Sequence, residues 1–214
     1  MSLLTFSTRP TKLHMLIVRI QVQKYPKAFH LHVEQRIHEK RLPQPTFDRE
    51  TKSIGYIQSS IRTGNFIGRE NGFKEALHYN DIPYDTAFCY HLAPGITGAY
   101  EDMKAYIKKS VIFPDSLLAE NDVLAIGAMR ALLEYGYKIP QDIQICGIDN
   151  VAISQITTTT LSTMNISKSS IGQTAFNTLL LQIELRTIGM LQVKIGGSFI
   201  QRESTRQTTS TDTL

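Results

Sequence analysis

The sequence predicts an α/β fold, a parallel sheet flanked by helices. Two observations carry that prediction. From Lys52 onward, short apolar runs alternate with stretches of 3.6-residue period, the pattern of strands joined by crossover helices. Within it, residues 116–150 spell one complete strand–helix–strand unit: the run SLLA, an amphipathic stretch with end signals on both sides, then an apolar run closing on Gly147-Ile148-Asp149-Asn150.

Taken in order, Leu16–Val22 alternates through Val18, Ile20 and Val22 and reads as a strand. The next segment, AFHLHVEQRIHEKRL, fits a strand through Phe29, Leu31 and Val33 and a helix through Phe29, Val33 and Ile37; its period leaves both open. Strands are then expected near Ser53–Gln58, Thr86–Tyr90, Ser116–Ala119, Ile143–Ile148, Leu161–Ile166 and Ser198–Arg202. Helices are expected near Asn65–Tyr79, Gly98–Lys108, Asp122–Tyr135 and Ser169–Ile183. Turn signals separate them at Asn80-Asp81-Ile82-Pro83, Ala93-Pro94-Gly95, Pro114-Asp115 and Lys138-Ile139-Pro140. In the third helix, Leu124, Ala128, Ala131 and Tyr135 fall at i, i+4, i+7 and i+11 and make one apolar face; Asn121 and Asp122 open it, and Gly136 with Pro140 closes it. The fourth is apolar over much of its circumference, with Ile171, Ala175, Leu179 and Gln182 on one side and Phe176, Leu180 and Ile183 on an adjacent one, so it needs burial on more than one face. The polar tail from Gln207 is expected to be disordered. The chain thus divides into 1–51, 52–206 and 207–214.

With 42% hydrophobic and 20% charged residues, 214 residues make an ordinary globular chain rather than a disordered one. No apolar run approaches the roughly 20 residues of a membrane helix, and the N-terminus lacks the pattern of a secretory signal; the expected compartment is the cytoplasm. Cys89 and Cys146 both fall inside predicted strands and imply no disulfide framework. A net charge of +4 and a pI near 9.0 invite a nucleic-acid reading. The basic residues are scattered, however, with no stripe interleaved with aromatics, so direct DNA binding by this chain alone is not expected.

Four residues stand out as ligand-binding candidates. Arg69, on the helix after the first strand, offers a planar fork of donors suited to vicinal hydroxyls or a carboxylate; its plain alternative is a surface ion pair with Glu70 or another acid. Asn121 and Asp149 end successive strands on one edge of the sheet, where ligands of open parallel sheets bind. An amide that both donates and accepts, beside a carboxylate that accepts several hydrogen bonds, suits a polyol. Their plain alternatives are a helix N-cap and an Asx-type turn. Asn65, four residues before Arg69, shares its helix face. His30, His32 and Glu34 line one side if their segment is a strand, with His38 nearby, but a solvated polar face explains them better than zinc. No nucleophile elbow, P-loop or dinucleotide fingerprint is present, so neither catalysis nor a cofactor is expected.

The same residues carry a resemblance. ENDVLAIGAMRALLEYGYKIPQDIQICGIDN resembles the effector-binding core of the lactose-repressor (LacI/GalR) family of bacterial transcription regulators. KSIGYIQSS at Lys52–Ser60 resembles the strand opening that family's second lobe, and FIGRENGFKEAL the helix whose arginine faces ligand. TLSTMNISKSSIGQTA and SFIQRESTR resemble the returning crossover and the closing strand. The resemblance spans Lys52 to Arg206. It implies a type I periplasmic-binding-protein-like fold with a complete second lobe and a first lobe largely missing or rearranged. It further implies a sugar-like or nucleoside-like effector, a homodimer, no membrane, and DNA contact only through a helix-turn-helix not recognisable in this sequence. A periplasmic-type sugar-binding protein is the alternative with the same clamp. Many relatives have a polar residue where Ile166 stands, which implies a more apolar hinge side here.

Overall fold

The computed structural model describes residues 16–25, 28–37, 51–185 and 192–206, with backbone alone for the first two spans. In chain order these hold β1 (Leu16–Tyr25), β2 (Ala28–Ile37), β3 (Ile54–Ser59), α1 (Gly64–Tyr79), β4 (Cys89–Leu92), α2 (Ile96–Lys108), β5 (Ser116–Ala119), α3 (Asp122–Glu134), β6 (Gln144–Ile148), β7 (Ser162–Asn165), α4 (Lys168–Leu185), β8 (Gln192–Ile195) and β9 (Ser198–Ile200). Six strands form one sheet in the order β4-β3-β5-β6-β7-β9, parallel except for β9, which runs antiparallel to β7. β1 pairs antiparallel with β2 from Leu16↔Ile37 to Tyr25↔Ala28, and β8 joins the other edge of β1.

The central strands are buried on both faces: every residue of β3, β5 and β6 is buried. That burial explains why they read as continuous apolar runs rather than alternating ones. Alternation still sorts their side chains. Ile57, Leu117, Ala119 and Ile145 pack into the core with α2 and α3. Tyr56, Leu118 and Cys146 face the other way onto Phe73 and Leu77 of α1, where the Tyr56 and Phe73 rings stack with centroids 4.7 Å apart. A third cluster joins Ile148, Met164, Ile166 and Ala175. Ile166 is therefore a core residue under α4.

Helix ends follow from side-chain and backbone chemistry. Thr63 accepts the Phe66 N–H at the start of α1, and Asn121 accepts the Leu124 N–H (2.9 Å) at the start of α3. α3 stops in a Schellman motif: Gly136, at φ +87°, donates to Leu133 O, and Tyr137 donates to Leu132 O. Inside α3, Gly127 permits close approach to α2, since a Cβ there would lie 2.6 Å from both Ala99 Cβ and Ile96 O.

Some elements depart from expectation. Thr86–Phe88 forms a 3-10 turn rather than the start of a strand, because Asp85 caps it by accepting the Ala87 N–H at 2.8 Å; pairing with β3 begins only at Cys89. Tyr135 leaves the apolar face of α3 and is 41% exposed as its C-cap. The closing strand stops at Ile200. The ambiguous AFHLHVEQRIHEKRL segment is a strand over Ala28–Ile37, paired with β1 along its whole length. The side chains of His30, His32 and Glu34 lie outside the described residues, as do His38 and the tail from Gln207.

Candidate functional site

β3 has β4 on one side and β5 on the other, so the chain reverses its direction of travel across the sheet here. At such a switch point the loops leaving the two central strands part, and a crevice opens at their carboxyl ends. Ser59 and residues 60–63 leave β3 at this edge, Glu120 and Asn121 follow β5, and Asp149 and Asn150 follow β6.

Arg69 draws this edge together. It is buried on α1, donates from Nη1 to Glu120 O at the end of β5, and donates from Nη2 to Asp149 Oδ1 at 2.8 Å. Arg69 and Asp149 are thus in direct contact, while Asn121 lies one residue beyond the carbonyl that Arg69 holds. The Asn121 oxygen is engaged in capping α3, and among the described residues its amide nitrogen makes no hydrogen bond. Asn65 sits half-buried in the first turn of α1, one turn before Arg69. Asp149 and Asn150 have φ values of +112° and +48°, a conformation costly for most side chains and mild for Asp, Asn and Gly. The Asp149 carbonyl accepts Lys168 Nζ at 2.7 Å.

Three groups that sequence reasoning passed over are built into the same edge. Glu120 is fully buried; its Oε2 accepts the Ser59 N–H at 2.7 Å, and its Oε1 accepts Arg62, whose other arm reaches Glu70 at 2.6 Å. Burial pushes the Glu120 carboxyl up, against the opposing pull of the Ser59 N–H and Arg62. Asp122, also fully buried, accepts Thr163 Oγ1 at 2.5 Å and the Val151 N–H at 2.8 Å, tying the start of α3 to β7 and to the loop after β6. Burial raises its carboxyl to about 6, with the hydrogen bonds from Thr163 and Val151 acting the other way. Arg202 reaches back from beyond β9 to Asn150 Oδ1 (2.7 Å), Ser154 Oγ (3.0 Å) and Leu161 O (2.6 Å). A lone acid or base in a loop carries no periodicity, so no sequence signal marked Arg62 or Glu120. Asp122 was visible only as a first-turn residue.

An open cleft of about 690 Å³ lies elsewhere, between Pro140, Thr160 and Arg206. Pro140 and Thr160 precede β6 and β7, which puts it at the amino edge, away from the convergent groups.

The periplasmic binding protein-like domain model matches residues 47–205. The chain belongs to this family. Its relatives in the periplasmic binding protein-like family are LacI-type regulators. The HTH-type transcriptional repressor PurR of Escherichia coli O1:K1 is 28% identical over 162 residues, covering 73% of this chain and 46% of PurR. A LacI family transcriptional regulator from Enterococcus faecium with bound ribose superposes with a TM-score of 0.65 at 28% identity, over 74% of this chain and 58% of that one. A sugar-binding LacI-family regulator from Escherichia coli complexed with phosphate gives a TM-score of 0.64 at 25% identity, over 72% and 55%. The chain therefore spans about half the length of the curated relatives it matches.

Proposed function

We propose that this chain is the effector-sensing core of a LacI-family transcription regulator, with binding rather than catalysis as its role. The observation that supports this most directly is Arg69, a buried guanidinium shared between the carboxyl ends of β5 and β6, next to the switch point between β3 and β5. The effector in this reading is a neutral or weakly charged polyol, sugar-like or nucleoside-like. Its vicinal hydroxyls exchange for the Arg69–Asp149 contact, with Asn121 and Asn65 at the flanks. Differential affinity for two arrangements of this edge then shifts their populations. The ribose and phosphate of the two structural relatives make those molecules natural first probes. DNA contact belongs to a helix-turn-helix, which the described residues do not contain. Among the described residues no helix is long and apolar enough to cross a membrane, and the proposed compartment is the cytoplasm.

Isothermal titration with ribose, other sugars and nucleosides tests the reading. The expected result is saturable binding, weaker than micromolar because the described edge contacts a ligand from one side only, and abolished in Arg69→Met. Absence of binding by every polyol tried, or binding untouched by Arg69→Met, would overturn it. A homodimer is also proposed: Phe176, Leu180, Leu181 and Ile183 on α4 are each 40% exposed or more, an apolar surface that a second copy would cover. Light scattering after size exclusion should give a dimer for the wild type and a monomer for Leu180→Lys; a monomeric wild type refutes this.

A further inference from the structure

The turn after β6 is held by a carboxylate that has no cation of its own. Its three residues each give their backbone N–H to a different partner: Asp149 to Met164 O at 2.9 Å, Asn150 to Thr163 Oγ1 at 3.2 Å, and Val151 to Asp122 Oδ2 at 2.8 Å. The last two partners are joined to each other, since the Thr163 hydroxyl donates to Asp122 Oδ1 at 2.5 Å. Asp122 and Thr163 are both fully buried, and among the described residues no ion pair reaches the Asp122 carboxylate. The titratable or charged groups that bear on it from the packed elements are Cys146 in β6, Asp149 after β6 and Arg202 after β9. β6 leaves room for this carboxylate at Gly147, where a Cβ would collide with Asp122 Oδ1.

Burying a carboxylate without a cation is costly, and helix capping does not account for it, because Asn121 already caps α3. What an ionised carboxylate alone provides is an acceptor on each oxygen at once. An amide has one accepting oxygen, and a protonated carboxyl turns one of its two into a donor. With Asp122 ionised, Thr163 aims its hydrogen at Oδ1 and keeps a lone pair for the Asn150 N–H, while Oδ2 keeps the Val151 N–H. A proton on either oxygen disturbs one of these contacts. The residues so held directly follow Asp149, whose carboxylate takes Arg69 at 2.8 Å. At φ +112° Asp149 is kept in place by its surroundings rather than by backbone preference.

We propose that Asp122 and Thr163 are positioning residues: together they set the Asp149–Val151 turn, and through it the direction of the Asp149 carboxylate toward Arg69. The inference rests on the sensing role proposed above for its biological meaning, since a proton on Asp122 loosens the turn and weakens its hold on a polyol. Burial raises the Asp122 carboxyl to about 6, so that proton arrives at mildly acidic pH.

Nuclear magnetic resonance on the nitrogen-15-labelled chain tests the positioning without any ligand. As pH crosses about 6, the backbone amide signals of Asn150 and Val151 and the Nε–H signal of Arg69 should move together, with one midpoint. In Asp122→Asn none of the three should move there. In Thr163→Val the carboxylate stays, so Val151 should still follow pH while Asn150 and Arg69 lose most of their response. Thr163→Ser, which keeps the hydroxyl, should restore it. An Arg69 signal that stays level while Val151 titrates, or one that follows pH equally well in Thr163→Val, would overturn the proposal. Where Asp122→Asn does not fold, Thr163→Val decides alone; failure of both to fold also overturns it, because a positioning role leaves a folded chain behind. Ribose titration reads the link to sensing: the dissociation constant should rise severalfold below about pH 6 in the wild type and stay level in Asp122→Asn. Ribose binding indifferent to pH would break that link. No ribose binding at all would sink the ribose test of the sensing role, while the Arg69 signal still decides the positioning.

Discussion

Substitutions at Asp149 separate what its charge, its side chain and its backbone contribute. Asp149→Asn keeps an acceptor for Arg69 Nη2 and keeps a residue tolerant of φ +112°, removing only the charge. A hydrogen bond to a charged partner exceeds a neutral one by about 1 kcal/mol, and that is the expected loss. Asp149→Ala strips the carboxylate from a guanidinium whose side chain is 4% exposed. Breaking a fully buried pair costs ~3–5 kcal/mol. Asp149 is itself a quarter exposed and Arg69 keeps Glu120 O, so the low end applies, about 3 kcal/mol. Part of it is the strain of a Cβ-bearing residue with no polar side chain at positive φ. Asp149→Gly loses the same carboxylate but relaxes the backbone, recovering about 1 kcal/mol. For a domain of this size about 1 kcal/mol moves the melting temperature by roughly 2–4 °C, so the order of melting should be wild type, Asn, Gly, Ala, with Ala roughly 6–12 °C down. Scanning calorimetry at neutral pH reads all four. If the three variants cluster within about 0.5 kcal/mol of the wild type, as unremarkable surface substitutions do, or if Gly melts below Ala, the account of this edge is wrong.

Asn121→Ala removes the cap from α3 and should cost ~1 kcal/mol in urea unfolding; a loss of ribose affinity beyond that expected from stability would separate a ligand contact from a cap, and an unchanged midpoint would remove the cap assignment. Asp122 titrates near 6 in the folded chain against 3.8 when unfolded, so its contribution to stability is fully present below the lower value and lost as pH rises through the higher. The stability difference between wild type and Asp122→Ala should therefore shrink by roughly 3 kcal/mol across that window; a difference independent of pH would rule out the raised carboxyl. Gly127→Ala should destabilise by ~1–3 kcal/mol through overpacking, since the added methyl would sit 2.6 Å from Ala99 Cβ and Ile96 O. A neutral result would mean that α2 and α3 separate easily.

The alternation of strand and helix was legible from Lys52 onward because each central strand is short, apolar and bounded by turn residues, and Ser116–Ala119 ends where the apolar run ends. β8 was not legible. Gln192–Ile195 is four residues with two charged or polar members, and its strand character comes from pairing with β1, which is distant in sequence. Ala28–Ile37 was undecidable for a related reason, since its own pattern served two periods and only the partner strand chose between them. At the site, Asp149 stood out through its position after a strand end, and Arg69 through the family resemblance of its helix rather than through spacing. Glu120 and Arg62 did not, because what distinguishes them is burial and mutual contact across 58 residues of chain.

The two consecutive residues at positive φ, Asp149 and Asn150, bear on how the specificity of this edge can be altered. Asn, Asp and Gly are the residues such a turn accepts cheaply, so an engineer who randomises these positions will recover mostly destabilised variants. Asn150 is doubly constrained, since it also donates to Asn165 at 3.1 Å and receives Arg202. Productive diversity belongs instead at Ser60 and Ile61, exposed loop residues with an ordinary backbone that follow β3 at the same edge. A library built there would test the proposed ligand site while leaving the turn after β6 as fixed scaffolding.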